Sequence, residues 1–386
     1  MSHFQQPPLS FWEAETLVGH PQNIVLGSGI VGLSAAIALK KRYPNERVLV
    51  LERGILPTGA STRNAGFACF GSISELLDDL SKGISESALM DLVEMRWQGL
   101  ARLRENLGDE GIGYEPSGGM EIFTNPEDFE RCVAAIPHFN QLMESRLGLK
   151  QVYTLLSQQE TADLGFAGIC GVIRNNAEGA IHTGRMMQSL LRKAQLSGVE
   201  ILNGIDVQTI HTLTDGACVE TSAGWTISTK RLLICTNGFA KRVLPQLEVQ
   251  PARNQVLITE PLGRKLPWQG CFHYEEGYYY FRNVGEDRVL LGGGRHLDRE
   301  NEMTDDFGNT NLIQQALIQL LNNVILPNWN PQIGRWWSGI LGIGDIKRPI
   351  VQLVGPNIGV AVRMGGMGVA IGSLVGEQGA ALWAED

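Results

Sequence analysis

The sequence has few of the features that mark nucleic-acid-binding proteins. Charged residues make up 19% of its 386 residues, against about 25% in an average soluble protein. No basic run is longer than Lys40-Lys41-Arg42, and the formal net charge is −9. We therefore expect no nucleic-acid partner, because such a partner requires a concentrated basic surface.

Cysteine and long apolar runs are also scarce. The six cysteines, at positions 69, 132, 170, 218, 235 and 271, form no C-x-x-C pair and have no histidine at ligand spacing. This pattern argues against a disulfide framework and predicts no metal site.

The most apolar stretches, 24–39 and 359–376, are interrupted by glycine and, in the second, by Arg363. No membrane span is expected. The first 19 residues lack the parts of a signal peptide, so we predict a cytoplasmic protein.

Glycine, in contrast, is abundant. The chain has 46 glycines in 386 residues, about 12% where ~7% is usual. Proline is ordinary at 16 residues, glycine has no three-residue period, and 43% of the residues are hydrophobic. The excess glycine is therefore expected at special backbone positions of a globular protein with a large core. At ~150 residues per domain, the length indicates two or three domains.

One glycine cluster has the context of a dinucleotide site. The pattern predicts a buried strand at Asn23–Leu26, a helix at Ile30–Arg42 and a second strand at Val48–Leu51, with G-x-G-x-x-G between the first two elements. Such glycines permit a tight turn, close approach of a pyrophosphate and close helix packing. Glu52 directly follows the second strand, where its carboxylate would accept hydrogen bonds from the ribose hydroxyls. Its negative charge disfavours the 2′-phosphate of NADP. The predicted contacts are Gly27, Ser28, Gly29, Ile30, Val31, Gly32, Glu52 and Arg53.

The next segment favours FAD over NAD. Residues 54–66 form a loop rich in Gly, Ser and Thr with one arginine. An NAD domain would normally continue here into its second helix, whereas a hydroxyl-rich loop can follow a second phosphate to a flavin ring. A flexible surface loop is the alternative interpretation.

At this point the chain resembles the D-amino-acid oxidase-type flavoproteins, which include the glycine, sarcosine and amine oxidases. The G-A-S-x-R-N-x-G pattern is matched by residues 59–66, and an A-T-G strand end by the variant Cys235-Thr236-Asn237-Gly238. A P-x-x-x-Q strand is matched from Pro251 to Pro261, and the C-terminal motifs by Trp337-Ser338-Gly339 and Gly365–Gly376. The stretch 278–295 is similar to γ-glutamylputrescine oxidases and related amine oxidoreductases.

The resemblance implies an α/β protein with a discontinuous Rossmann-like FAD-binding domain at 18–112, 180–247 and 332–386. It implies a second, antiparallel-sheet substrate domain at 113–179 and 248–331. By the same resemblance, further FAD contacts would be Ser61, Thr62, Arg63, Asn64, Ala65, Gly66, Val207, Thr236, Gly238, Gly339, Gly365, Gly366, Met367 and Gly368.

The chain departs from the family pattern in three ways. Leu341 stands where many amino-acid oxidases place a carboxylate-binding arginine, and Ala370 stands where sarcosine oxidases place a lysine. No cysteine lies between 331 and 386 to attach a flavin covalently. The resemblance therefore implies noncovalent FAD and a substrate that is not held by the usual carboxylate anchors.

The candidate catalytic residues come from an aromatic strand. Alternation places Tyr278, Tyr280 and Arg282 on one face and Tyr279 and Phe281 on the other. One interpretation is an aromatic wall with a cation, in the sheet that covers the flavin; the alternative is an amphipathic strand at an interface. Trp337 or its neighbour Trp336 would extend the wall, and Arg295 is a second candidate anion site. His182 and His273 are expected to be structural. The predicted catalytic set is Arg282, Tyr278, Tyr280 and Trp337.

The resulting hypothesis is an FAD-dependent oxidoreductase that oxidises the C–N bond of a small amine or amino acid. Hydride would pass to flavin N5, the imine would hydrolyse, and O2 or another acceptor would take the electrons. Two alternatives stay open. One is a 2-hydroxy-acid or glycerol-phosphate type dehydrogenase on the same fold, and the other is a non-catalytic flavin-binding subunit of a larger complex.

Overall fold

The computed structural model describes residues 8–384. The strands are β1 (Asn23–Leu26), β2 (Val48–Glu52), β3 (Phe67–Ala68), β4 (Gly119–Phe123), β5 (Tyr153–Leu155), β6 (Gly171–Asn175), β7 (Gly179–Ala180), β8 (Glu200–Asn203), β9 (Val207–Leu213), β10 (Gly216–Thr221), β11 (Thr226–Thr229), β12 (Arg231–Ile234), β13 (Gln250–Thr259), β14 (Cys271–Tyr274), β15 (Tyr279–Asn283), β16 (Val289–Gly293), β17 (Ile333–Ile343), β18 (Ile350–Gly355) and β19 (Ile358–Val362).

The helices are α1 (Ile30–Arg42), α2 (Ala60–Arg63), α3 (Ile73–Ser81), α4 (Glu86–Leu107), α5 (Asp109–Ile112), α6 (Pro126–Leu147), α7 (Gln158–Asp163), α8 (Thr183–Leu196), α9 (Asn311–Leu320) and α10 (Gly368–Ala380). Short 3-10 helices span Asn237–Arg242 and Arg295–Asp298, and π-helical turns span Glu13–Val18 and Leu321–Ile325. Among the described residues, no helix combines the length and the apolar character needed to cross a bilayer.

The predicted βαβ unit forms the centre of a six-stranded sheet. Its strand order is β18-β19-β12-β1-β2-β8, with every pairing parallel except that of the edge strand β18. All residues of β1 and β2 are buried, as expected of central strands covered on both faces. Both β1 and α1 have the predicted bounds.

Helices cover one face of this sheet and a three-stranded antiparallel sheet covers the other. The helix side is built from α1, α8 and α10; the opposite side packs against β9, β10 and β11. Helices α1 and α10 approach so closely that a Cβ on Gly376 of α10 would lie only 2.4 Å from the carbonyl oxygen of Val31. The lack of a side chain at Gly376 permits this contact. Part of the glycine excess thus serves helix packing rather than ligand contact.

The second domain is built around an eight-stranded sheet with the order β17-β13-β16-β15-β14-β4-β6-β5. Its pairings are antiparallel except that of β14 with β4. One face packs on α9 through an aromatic and aliphatic core, in which Phe272 and Phe281 stack 4.8 Å apart. The opposite face meets the two-stranded ribbon of β3 and β7 and the loop before it.

The predicted α/β fold with a parallel sheet and a separate antiparallel sheet is confirmed. One segment differs from the predicted domain limits. β17 lies in the range 332–386, which was predicted to belong to the FAD domain, yet it pairs with β13 along almost its whole length. Hydrophobic alternation marks such a segment as a strand but does not identify the sheet that it joins.

Candidate cofactor and substrate site

The loop between β1 and α1 has the geometry that its glycines predict. Gly27 adopts a φ of +97°, a conformation that favours glycine. A Cβ on Gly32 would lie 1.9 Å from the carbonyl oxygen of Gly27, so a larger residue does not fit. The hydroxyl of Ser61 accepts a hydrogen bond from the Ile30 backbone at 3.0 Å. The loop therefore brings the positive end of α1 beside the Gly/Ser/Thr segment.

The carboxylate of Glu52 is fixed at the end of β2. Its Oε2 accepts hydrogen bonds from the backbone N–H and hydroxyl of Ser28, at 3.0 and 2.8 Å, and its Oε1 accepts one from Gly54 at 2.9 Å. The remaining acceptor capacity of Oε1 is available to a ribose hydroxyl. Ser28 itself is fully buried, so it positions Glu52 and does not face the cleft described next.

A large cleft runs along the carboxyl ends of β1, β2 and β12. Its empty space, counted together with its solvent-filled opening, is about 1300 Å³. We call it the main cleft. The predicted cofactor residues that line it are Gly27, Gly29, Ile30, Val31, Glu52, Arg53, Ser61, Asn64, Val207, Thr236, Gly366 and Gly368.

Other predicted cofactor residues shape the main cleft from behind. A Cβ on Gly238 would lie 2.3 Å from the Leu341 carbonyl oxygen, and one on Gly339 would lie 3.4 Å from the Arg63 side chain. These glycines bring backbone segments together rather than face the cleft. The predicted residues outside the lining are Ser28, Gly32, Thr62, Arg63, Ala65, Gly66, Gly238, Gly339, Gly365 and Met367.

Asn237, the unusual residue in the strand-end motif, links two elements of the cleft wall. Its φ is +48°, and its side-chain oxygen accepts hydrogen bonds from the backbone N–H groups of Arg363 and Met364 at 3.1 and 3.2 Å. Arg363 also adopts a left-handed φ of +68°. The amide of Asn237 therefore fixes the turn that leads to the Gly365–Gly368 segment.

Sequence reasoning missed part of the lining. For one segment the sequence did contain a signal. The carboxyl ends of parallel strands meet at one edge of a sheet, and residues 237–243 follow β12 at that edge. Phe239 lies beneath the Arg53 guanidinium, 4.5 Å from it. The other missed residues have side chains with no distinctive chemistry or lie far along the chain. The missed lining residues are Leu26, Leu51, Pro57, Thr58, Gly59, Ala60, Ile205, Asp206, Cys235, Asn237, Phe239, Arg242, Val243, Ile340, Leu341, Met364 and Val369.

Comparison with known proteins decides the family. The profile of the DAO family, described as FAD dependent oxidoreductase, matches residues 23–382. The chain belongs to this family. A relative named probable oxidoreductase OrdL, from Rhizobium meliloti (strain 1021), is 24% identical over 372 residues, covering 92% of this chain and 80% of the relative.

A second relative and a solved structure extend the comparison. The L-2-hydroxyglutarate dehydrogenase of Salmonella houtenae is 21% identical over 229 residues, or 59% of this chain and 50% of the relative. The crystal structure of iminodiacetate oxidase from Chelativorans sp. BNC1 superposes with a TM-score of 0.76 at 18% identity, covering 93% of this chain and 94% of that one. At this identity, the structural likeness concerns the fold.

As a DAO-family oxidoreductase, the protein binds FAD, and the main cleft fits that cofactor. The hydroxyl oxygen of Thr236 is buried there without a hydrogen-bond partner among the described residues. Gly59 and Gly366 have open space where a Cβ would lie. Residues 27–32 and Glu52 would hold the ADP half of FAD. The loop at residues 54–66, which we call the second loop, and the C-terminal glycines would lie along the flavin half. When bound, FAD supplies the capacity to accept a hydride.

The predicted aromatic wall is partly assembled. Trp337 pairs with Val256, Val256 with Gly292, Gly292 with Tyr280, and Tyr280 with His273. Direct cross-strand partners share a face, so these residues form one row across the eight-stranded sheet. We call this surface the inner face. It meets the FAD domain, since the Trp337 indole donates to the Arg63 carbonyl oxygen at 3.0 Å.

Tyr280 is the residue of the predicted set that best fits a substrate wall. Its phenol oxygen lies 3.3 Å from the Asn254 side-chain nitrogen, and its ring lies 5.6 Å from that of Phe67. A Cβ on Gly292 would lie 2.6 Å from the phenol oxygen, so this glycine makes room for the ring. Tyr280 does not line the main cleft; it stands on the inner face behind the second loop.

Two members of the predicted catalytic set have other roles in the structure. Arg282 is only 7% exposed, and its guanidinium donates to the carbonyl oxygens of Gly66, Ile181 and Asn283 at 2.8–3.0 Å. Its position on the inner face agrees with the prediction, but these bonds leave little of it for a substrate carboxylate. Arg282 instead joins the sheet to β7 and the second loop.

Tyr278 precedes β15 and does not continue its alternation. Its ring lies 4.5 Å from that of His296, and its hydroxyl accepts a hydrogen bond from Arg299 at 2.9 Å. Tyr278 therefore belongs to a turn at the strand's entrance. The expectation for His182 agrees with the structure, because its Nδ1 accepts from the Arg185 backbone and caps α8.

Beyond Tyr280, the inner face carries buried ionisable groups. Burial raises the pKa of both Glu121 and Glu178 to about 7, although hydrogen bonds from neighbouring backbone N–H groups oppose the rise. Burial lowers the pKa of His273, which lies across from Tyr280. Glu121 and His273 of the sheet and Glu178 of the turn before β7 thus bring two carboxyl groups and an imidazole to one small cavity.

Proposed function

We propose that this FAD-dependent oxidoreductase oxidises the C–N bond of a small amine, using noncovalently bound FAD. The observation that carries the proposal is Leu341, an apolar side chain that lines the main cleft at the position where many amino-acid oxidases place their carboxylate-binding arginine. With Arg282 occupied by backbone carbonyls, an amine is favoured over an α-amino acid.

The chemistry of the inner face supports the same substrate class. Tyr280 presents a phenol oxygen that can accept or donate a hydrogen bond, and Trp337 adds an aromatic surface. Glu121 and Glu178, each with a pKa of about 7, are partly ionised at neutral pH, and in that form they favour a cation over an anion. In this proposal Tyr280 and Asn254 orient the substrate nitrogen, Trp337 and Phe67 exclude water, and the imine product hydrolyses in solvent.

The second candidate is oxidation of a 2-hydroxy acid. Its support is Arg295, which forms no hydrogen bond or ion pair within residues 8–384, and the relative that is named an L-2-hydroxyglutarate dehydrogenase. Partial burial lowers the pKa of Arg295, as for a cation that lacks a counter-ion. An anionic substrate would supply that counter-ion.

An anaerobic reduction screen separates these candidates. Purified holoenzyme is mixed without oxygen with primary and secondary amines, α-amino acids and 2-hydroxy acids, and bleaching of the flavin absorption is followed. We expect amines to bleach the flavin fastest. Bleaching by 2-hydroxy acids alone, lost in Arg295→Ala, would establish the second candidate, and no bleaching by any class would support a non-catalytic flavin-binding subunit.

Two adjacent tyrosines provide a matched pair of variants. Tyr280 lies on the inner face, whereas Tyr279 packs into the core on the opposite face. Tyr280→Phe removes one hydroxyl hydrogen bond and should slow flavin reduction roughly tenfold, about the effect of 1.4 kcal/mol. Tyr279→Phe should leave the rate within twofold. Equal effects of the two substitutions would refute the assignment of Tyr280.

A further inference from the structure

Three potential metal ligands from distant parts of the chain meet beside the inner face. In the ribbon, Phe67 pairs with Ala180 and Ala68 with Gly179, so the next opposed positions are Cys69 and Glu178. His273 of β14 approaches from the eight-stranded sheet. The thiol, one carboxylate oxygen and one ring nitrogen all lie within 4.8 Å of one another. The cluster lies outside the main cleft.

The hydrogen bonds of this cluster leave its ligand atoms available, because the Cys69 thiol makes only a long contact of 3.9 Å to the Gly179 carbonyl oxygen. Both backbone hydrogen bonds to Glu178, from Phe70 at 2.7 Å and Gly71 at 3.0 Å, go to Oε1. Its Oε2 lies 3.9 Å from His273 Nε2, too far for a hydrogen bond. That nitrogen is buried and has no hydrogen-bond partner among the described residues. The two side chains are 1% and 12% exposed, so bulk water does not satisfy them.

A small cavity of about 10 Å³ borders the same Glu178 and His273, which is room for about one water molecule. The hydroxyl oxygen of Ser72 and the side-chain nitrogen of Asn175 line it, and neither has a hydrogen-bond partner in the described part of the chain. Both residues are at least 95% buried. Unpartnered polar groups around a cavity indicate that it holds a polar occupant.

We propose that Cys69, Glu178 and His273 bind one transition-metal ion of the Zn²⁺ class. Thiolate, imidazole and carboxylate are the ligands that zinc takes in proteins, and three of them leave a fourth position open. That position would face the cavity and hold a water molecule in contact with Ser72 or Asn175. A divalent ion with one thiolate and one carboxylate is electrically neutral, which permits its burial.

The site does not depend on the substrate proposed above, and its test measures metal rather than turnover. Because the cluster is buried, the holoenzyme should be loaded during expression, in minimal medium supplemented with ZnSO4 or CoCl2. Metal and FAD are then quantified per chain by mass spectrometry and absorbance. We expect about one metal ion per chain, as in structural and catalytic zinc sites. Co²⁺-loaded protein should show d–d absorption in the red, where oxidised flavin is transparent.

Variants locate the ion. Cys69→Ala and His273→Gln should each reduce metal content at least tenfold, with FAD content unchanged. Cys132→Ala is the matched control because Cys132 is equally buried in a separate core, and it should keep the metal. Wild-type holoenzyme with less than about a tenth of an ion per chain from either medium would overturn the proposal, as would Cys69→Ala protein with the wild-type metal content. The first of these outcomes requires no variant to fold.

Discussion

Replacing Glu121 by glutamine tests the electrostatics of the inner face. Glu121 lies in β4 with 3% of its surface exposed, and it accepts hydrogen bonds from the backbone N–H of Ser74, at 3.2 Å, and from the Ser74 hydroxyl. Burial raises its pKa from 4.5 to about 7. The folded protein therefore keeps a proton that the unfolded chain releases at much lower pH.

The sign and size of the effect follow from this difference. Between pH 4.5 and 7 the unfolded chain binds fewer protons, so the free energy of unfolding falls as the pH rises. At ~1.36 kcal/mol for each unit of pKa difference, the loss is on the order of 3 kcal/mol above pH 7 and vanishes below pH 4.5. Glutamine has nearly the same shape and no charge. We expect Glu121→Gln to match the wild type near pH 5 and to be more stable by roughly 1–3 kcal/mol at pH 8.

The assay is urea unfolding of the holoenzyme at fixed excess FAD, from pH 5 to 8, followed by circular dichroism and flavin fluorescence. Fixed FAD matters because a ligand bound to the folded state adds to its stability. Glu130→Gln on the exposed surface of α6 controls for the change in net charge. A stability gain in Glu121→Gln that does not change with pH would refute the reasoning. Lower stability at pH 8 would show that the carboxylate is ionised and favourable.

Three further substitutions test the site. Gly32→Ala should abolish FAD binding, because its Cβ would lie 1.9 Å from the Gly27 carbonyl oxygen; a wild-type ratio of flavin to protein absorbance would contradict this. Arg282→Ala should lower the thermal midpoint and FAD content more than it alters KM, since three carbonyl groups each lose one hydrogen bond; an isolated rise in KM would restore Arg282 as a substrate anchor. Asn237→Ala leaves two N–H groups without an acceptor and should cost about 1–3 kcal/mol in thermal unfolding, so an unchanged midpoint would exclude that role.

Local patterns predicted the nucleotide-binding part of the fold well. A buried apolar run, three glycines at fixed spacing and a helical period determine β1, the turn and α1 almost without reference to the rest of the chain. The bounds of β1, α1 and β8 agree with the expectation. The same motif predicts a role for Glu52, which the structure places at the end of β2 in the lining of the main cleft.

Long-range contacts could not be predicted in the same way. The period of two in β15 correctly places Tyr280 and Arg282 on one face, but it does not say what that face meets. The carbonyl groups that hold Arg282 belong to Gly66 and Ile181, which are 216 and 101 residues away in sequence. The scattered cysteines were interpreted as evidence against a metal site for the same reason, since Cys69 and His273 come together only through two different sheets.

The position of Arg282 has a consequence for how the two domains act together. Its charge is buried without a carboxylate partner in the described ranges, so carbonyl dipoles alone compensate it. Two of those carbonyls lie in the second loop and at the end of β7, and the third lies in its own strand. The guanidinium therefore sets the distance between the inner face and residues 59–66, of which Gly59, Ala60, Ser61 and Asn64 line the main cleft. Lysine would keep the charge but lose the planar fork that reaches two segments at once. Arg282, which was predicted to contact a substrate, thus joins the eight-stranded sheet to two segments of the FAD-binding part of the chain.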